Sequence, residues 1–331
     1  MARIFLTHIP HMLQNYYGER AVAALRKLGE VKINTSDDVL DARALFEASK
    51  GCDIIVSDRQ TPGPGEFFDM GPDAVAFLRC AVDIRNIDVA AASKQGILVT
   101  HATPGFIASV SEQTIGMMID CARNVSEYVM DYRAGKTPVA RPGRQLKGAA
   151  LGIMGYGDIG QYLAPLALAL GMTVMISDPF KTIDDPKLQQ VDLPTLLRES
   201  DFVVCLVVAN EKTENLMNEA TFAQMKKSAY FINMSRGNLV DEDALIRALD
   251  KKVIAGAAMD VGRAQDQMPS LKLARRPDVV ATPHSAGLTP QAIEHQAFDT
   301  VNQVAELVAG RMPPGAANAD AATRLSRLRK G

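Results

Sequence analysis

The residues best placed to do chemistry begin with a run of glycines. Leu151-Gly152-Ile153-Met154-Gly155-Tyr156-Gly157-Asp158-Ile159-Gly160 carries GxGxxG between an apolar strand-like run and a helical stretch. In such a turn the backbone grips a pyrophosphate: Gly155 permits the tight turn, Gly157 lets main chain approach the phosphates, and Gly160 lets the helix pack closely. The helix N-terminus adds unpaired N–H groups and the positive end of its dipole. A second apolar run, Thr173–Ser177, ends at Asp178, eighteen positions after Gly160. A carboxylate there accepts hydrogen bonds from the adenosine ribose of NAD and repels the 2′-phosphate of NADP. Ser177 and Lys181 flank Asp178 and could meet a phosphate, so NAD is favoured and NADP stays open.

Hydride exchange with an α-hydroxy acid needs three further devices. A cation grips the carboxylate, an acid/base handles the hydroxyl proton, and a partner holds that acid/base in orientation. Of the five histidines (His8, His11, His101, His284 and His295), His284 ends the last strand-like run, Val279–Ala281, in ATPHSAG. Arg236 follows the run Ala229–Asn233 in NMSRGNLVDE. Open α/β sheets place their ligands at the carboxyl ends of strands, which is where both residues fall.

The elements that must hold these groups form two βα series. Ile4–Leu6, Val31–Ile33, Ile54–Val56, Ala76–Leu78 and Ile97–Val99 read as strands, and Gly18–Leu28 as a helix stopped by Gly29. Thr61–Gly65, with two prolines and two glycines, is a loop. Ile107 to about Tyr132 reads as one long amphipathic helix before Gly135 and Pro138. Six strands follow, at Ala150–Met154, Thr173–Ser177, Phe202–Val208, Ala229–Asn233, Ile254–Met259 and Val279–Ala281, which suits a doubly wound parallel sheet better than an eight-stranded barrel. After Pro290 the pattern is helical to Gly310, and the tail Met312–Gly331, basic at Arg324, Arg327, Arg329 and Lys330, reads as a solvated, partly disordered end.

Composition narrows the classes. A chain of 331 residues with formal net charge -2 has length for about two domains and no basic footprint for nucleic acid or an anionic membrane. No run approaches the ~20 apolar residues of a membrane span. Cys52, Cys80, Cys121 and Cys205 lie far apart, without disulfide-framework or zinc spacing, so no metal is expected and Cys205 reads as a buried thiol. A cytoplasmic location follows by elimination.

GYGDIG with Asp178 behind it, NMSRGNLVDE, AAMDVG and ATPHSAG occur in that order. With AVDIRNID (Ala81–Asp88) and VSEQTIGMM (Val110–Met118), they make the sequence resemble the D-isomer-specific 2-hydroxyacid dehydrogenases over nearly its whole length. The resemblance implies a doubly wound Rossmann domain, residues 101–287, inserted into a smaller flavodoxin-like α/β substrate domain, residues 1–100 and 288–331. It implies hydride transfer between a nicotinamide cofactor and a small (R)-2-hydroxy acid or its 2-keto acid. Arg236 would bind the substrate carboxylate, and His284 would move the hydroxyl proton. Asp260 would contact the nicotinamide carboxamide, Asp158 and Ile159 the pyrophosphate, and Val207, Met234 and Gly287 would complete the cofactor site. A homodimer joined near Ile107–Tyr132 is implied too.

Three departures from the family pattern bear on the site. The usual glutamate that pairs with the histidine is replaced by Gln265, with Asp266 next to it. Asp266 would supply a negative charge beside the ring, whereas Gln265 would orient it without charge, as in formate dehydrogenases; Asp266 is slightly preferred. Ala81 and Asp83 replace both glycines of the turn that usually holds the carboxylate, so Val82 and Asp83 join Ser57 and Arg59 as candidate substrate contacts. Gly262 stands where an aromatic is usual. Two other readings are a dinucleotide-sensing binding protein of the same fold and a formate- or phosphite-type dehydrogenase of a small anion, the latter favoured by Gln265.

Overall fold

The computed structural model describes residues 1–328, and the chain divides into two compact units, Met1–Gly105 with Thr289–Gly331, and Phe106–Leu288. Arg329 and Lys330 of the basic tail lie outside the described residues.

The first unit is built on five parallel strands: β1 (Ala2–Leu6), β2 (Gly29–Ile33), β3 (Ile54–Ser57), β4 (Ala76–Arg79) and β5 (Leu98–His101), in the order β2-β1-β3-β4-β5. Every residue of β3 and β4 is buried, as expected of central parallel strands covered on both faces. Glu19–Leu28 is helical as expected, starting after Gly18, whose φ of 86° few other residues adopt. The helix Pro290–Val308 returns to this unit and packs Val301, Val304 and Leu307 against Val22 and Leu25.

The Thr61–Gly65 loop is a clip. Gly63 N–H donates to Asn86 O, Asp88 N–H donates to Gly63 O, and the chain then sends Phe67 and Phe68 inward against Phe77. The tail departs from expectation. Ala317 N–H donates to Val99 O, Asn318 bonds Val99 N–H and Ile97 O, and Arg324 donates to Pro72 O and Gln95 Oε1. Leu328 is buried against the same core. Over its described residues the tail is ordered because it completes the open edge of β5, a need that composition does not reveal.

The second unit has seven parallel strands: β6 (Ala150–Met154), β7 (Thr173–Ser177), β8 (Leu188–Gln190), β9 (Phe202–Cys205), β10 (Tyr230–Asn233), β11 (Gly256–Met259) and β12 (Val279–Ala281). Their order is β12-β11-β10-β9-β6-β7-β8, so the winding reverses at β6. The six expected strands are present. β8 is additional: it is an edge strand with one buried residue in three and no apolar run to announce it.

The single helix expected from Ile107 is two, Ile107–Arg123 and Val125–Arg133. Asn124 between them is left-handed (φ 55°), its N–H bonded to Asp120 O, while the Asp120 carboxylate takes Ser126 N–H. Asparagine tolerates that conformation, and apolar periodicity does not register a one-residue break. Among the described residues no helix is long and apolar enough to cross a membrane, and no cluster of side chains could hold a metal ion. All four cysteines are buried and free, and burial pushes the Cys205 thiol up to about 12.

Candidate active site

The winding reversal puts the glycine turn at the carboxyl end of β6, beside the end of β9, where doubly wound sheets bind ligands. Gly155 has φ 88°, and a Cβ there would lie 2.9 Å from Leu206 O and 3.1 Å from Val207 Cα. A Cβ on Gly160 would sit 2.8 Å from Gly155 O, so the helix Asp158–Ala169 can start this close only with glycine. A Cβ on Gly157, by contrast, would meet nothing within 4 Å. The Asp178 carboxylate accepts from Tyr156 N–H at 2.8 Å and Phe180 N–H at 2.9 Å, which ties the acid to the turn.

From there the strand ends are stitched together one by one. Ser235 Oγ donates to Val207 O at 2.6 Å, and the Asn233 amide takes Ser235 N–H and donates to Arg236 O. Asp260 N–H donates to Asn233 O, and His284 N–H donates to Asp260 O at 2.8 Å. Arg236 is half-buried, with Nη1 donating to Ser235 O. Asp260 is buried, and its carboxylate accepts from Gln113 Nε2, Thr282 Oγ1, Ser285 N–H and Ala286 N–H. That network fixes the turn in which His284 takes φ 53°.

The partner of the histidine is a main-chain atom. His284 Nδ1 lies 2.8 Å from Asp266 O, and since a carbonyl only accepts, Nδ1 carries the proton of that bond. Of the two candidates, Gln265 is exposed and makes no hydrogen bond to the ring, while Asp266 meets the ring through its main-chain carbonyl, a contact that residue type did not foretell. The reason is local geometry. Gly262 N–H donates to Gln267 O and Ala264 N–H to Met268 O, folding the loop back, while Asp266 and Gln267 are both left-handed at φ 54° and 58°. Gly262 belongs to the same fold-back: a Cβ there would be 2.5 Å from Pro269 Cα, leaving no room for an aromatic.

In the first unit, the candidate substrate residues surround a buried cation. Arg79, at the end of β4, donates to Ser57 Oγ, to the carbonyls of Asp58, Arg59, Thr61 and Asp83, and to Asn86 Oδ1. Ser57 is fully buried in this cluster and accepts from the guanidinium, so its role is internal rather than a contact to substrate. Arg59 stacks over Tyr16 at 5.1 Å, and Asp83 forms a bidentate pair with Arg85. His8 is also buried there, and burial draws its pKa down to about 4.

The description "D-isomer specific 2-hydroxyacid dehydrogenase, NAD binding domain" matches residues 115–286. A hydroxypyruvate reductase of Thermotoga maritima is 31% identical over 84% of this chain and 92% of its own. This chain belongs to the D-isomer-specific 2-hydroxyacid dehydrogenases. A Thermus thermophilus structure superposes with TM-score 0.85 at 28% identity, covering 95% of this chain and 99% of its own. The NAD-complexed D-isomer-specific 2-hydroxyacid dehydrogenase of Lactobacillus delbrueckii ssp. bulgaricus does so with TM-score 0.78 at 26% identity, covering 96% and 100%. The chain spans about half the length of the phosphoglycerate dehydrogenases it matches, such as 49% of one from Arabidopsis thaliana.

The dehydrogenase is an NAD-dependent oxidoreductase acting on the CH–OH group of a 2-hydroxy acid. Its residues fit the dinucleotide: the open face at Gly157, the N–H groups of Asp158 and Ile159, and Asp178 form the cradle such a group requires. Met234 is buried and Val207 half-buried beside the turn, while Gly287 lies against Phe106, where a Cβ would be 3.1 Å from that residue's Cβ. Sequence reasoning missed Gln113 and Thr282, which satisfy Asp260, and Arg79. The signal for Arg79 was available, a lone arginine closing the apolar run Ala76-Phe77-Leu78.

Proposed function

We propose that this dehydrogenase interconverts a small 2-keto acid and its (R)-2-hydroxy acid, with Arg236 as carboxylate clamp and His284 as acid/base. The observation that carries the reading is the 2.8 Å bond from His284 Nδ1 to Asp266 O, which supports Nε2 as the nitrogen that meets the substrate. When bound, the nicotinamide supplies the hydride for C2. Arg236 offers a planar fork of donors for a bidentate grip on the carboxylate, fixing which face of the carbonyl is presented. His284 delivers the Nε2 proton to the carbonyl oxygen as C2 is reduced and is left neutral, still donating from Nδ1 to Asp266 O. In the reverse direction Nε2 takes the hydroxyl proton. The cradle at Gly155–Gly160 with Asp178 sets the dinucleotide in register with these groups. The small-anion alternative rested on Gln265 as the partner of the ring, a place that Asp266 O takes.

A panel of 2-keto acids assayed with NADH and NADPH in parallel tests this reading. Saturable turnover with at least one keto acid is expected, with NADH preferred because Asp178 opposes a 2′-phosphate. No turnover across the panel would overturn it.

The four buried free cysteines suit a reducing compartment, so the cytoplasm is the proposed location. The proposed assembly is a homodimer through the paired helices Ile107–Arg123 and Val125–Arg133. They leave Ile119, Val125, Val129, Met130 and Tyr132 exposed, an apolar content that a lone surface rarely carries. Light scattering should give twice the chain mass, and Met130→Glu should shift the protein toward the monomer.

A further inference from the structure

Arg263 is a charged residue outside the proposed chemistry, on the loop that presents Asp266 O to His284. Its guanidinium is committed on several sides. Nε donates to Val240 O at 3.1 Å, and Nη2 to Asn238 O at 3.0 Å, Asn215 Oδ1 at 2.5 Å and Glu214 Oε1 at 2.9 Å. Two of those acceptors, the carbonyls of Asn238 and Val240, belong to the segment directly after Arg236. Hydrogen bonds from Asn238 and Arg263 also hold the Glu214 carboxyl below its usual range, so this acceptor is ionised at neutral pH. Beside Arg263 the two backbones touch: a Cβ on Gly237 would lie 2.0 Å from Gly262 O.

These contacts have a direction. The loop from Gly262 to Met268 is closed by its own main-chain bonds, but those bonds do not fix where the closed loop stands. Its anchorage outside itself includes Arg263, which reaches back to the Arg236 segment. Asp266, three residues on, is held left-handed and offers its carbonyl to the ring. A shift of the loop would therefore move Asp266 O away from Nδ1 and change its relation to Arg236 together.

We infer that Arg263 is a positioning residue that sets His284 relative to Arg236, acting through the main-chain carbonyl of Asp266. The ion pair with Glu214 is exposed and contributes little stability by itself, so the role is geometric. The inference rests on the proposed roles of His284 and Arg236, but its main test does not require turnover.

The test compares the wild-type chain with Arg263→Met and Arg263→Lys, reading the imidazole nitrogens of His284 by 15N NMR above pH 8. In the wild type His284 should show the Nδ1–H tautomer. Arg263→Met should give a tautomer mixture, with kcat for a 2-keto acid down on the order of 10²-fold, as misplacement of reacting groups by about 1 Å produces. NADH affinity by fluorescence should stay within about twofold, because the glycine turn is untouched, a split that general unfolding would not give. Arg263→Lys keeps one donor and should fall between, and it serves as the test if the methionine variant does not fold. An unchanged His284 tautomer in a folded variant overturns the inference, whatever the activity. A changed tautomer in a protein that turns over no keto acid leaves the inference standing and overturns the proposed function instead. Where the wild type turns over, an unaltered kcat in a folded variant also overturns it.

Discussion

Replacing His284 with alanine should lower kcat for 2-keto acid reduction by about 10²–10⁴-fold, the range a positioned general acid contributes. NADH should still bind with near wild-type affinity, because the glycine turn and Asp178 hold each other without any contribution from the ring. Steady-state kinetics and a fluorescence titration separate the two effects. His284 stands at φ 53°, where alanine is strained, so His284→Asn is the control: asparagine accepts left-handed backbone and carries no titrating nitrogen. Both variants should lose turnover alike. Near-normal reduction by either would remove His284 as the proton donor, and would leave the bond to Asp266 O with only a structural meaning.

Arg79→Met should destabilise the first unit by about 3–5 kcal/mol, the usual result of removing one partner from a buried charged cluster. Arg79 is 2% exposed and its guanidinium answers four main-chain carbonyls, Ser57 Oγ and Asn86 Oδ1. Methionine fills much of the volume but leaves those acceptors buried without a donor, and each unsatisfied group carries a penalty. Burial draws the Arg79 pKa down to about 10, still well above neutral, so the group is a cation under ordinary conditions. Chemical denaturation followed by circular dichroism measures the loss, and Arg79→Lys, which keeps charge but not the fork, should recover part of it. A change under about 1 kcal/mol would mean that the cluster is satisfied by other means. Arg79 also joins the Asp58–Thr61 segment to the turn at Asp83, so the loss falls on both segments together.

The glycine turn and the acid beside it were legible from local sequence because their requirements are local. Gly155 needs a positive φ, Gly160 a missing Cβ, and Asp178 a place at the end of the next strand, and each need is met within one βα unit. Strands such as β6, β7 and β12 were readable to the residue, because short apolar runs bounded by breakers have one extended solution. The break at Asn124 and the edge strand β8 were not, since neither alters apolar periodicity. The ordered tail escaped notice because what orders it, the open side of β5, lies more than two hundred residues away in sequence.

The sequence by itself determined that this protein binds a dinucleotide and carries Arg236 and His284 at strand ends, because those facts follow from residue type and short spacing. Only the tertiary structure decided what holds each of these groups. Whether the ring meets Gln265, the Asp266 carboxylate or the Asp266 carbonyl depends on two left-handed residues in a folded-back loop, and on Arg263 reaching across to another strand end. Such contacts join segments that are neighbours only after the sheet has formed. Residue spacing fixes which groups are available, and the direction of each hydrogen bond comes from packing.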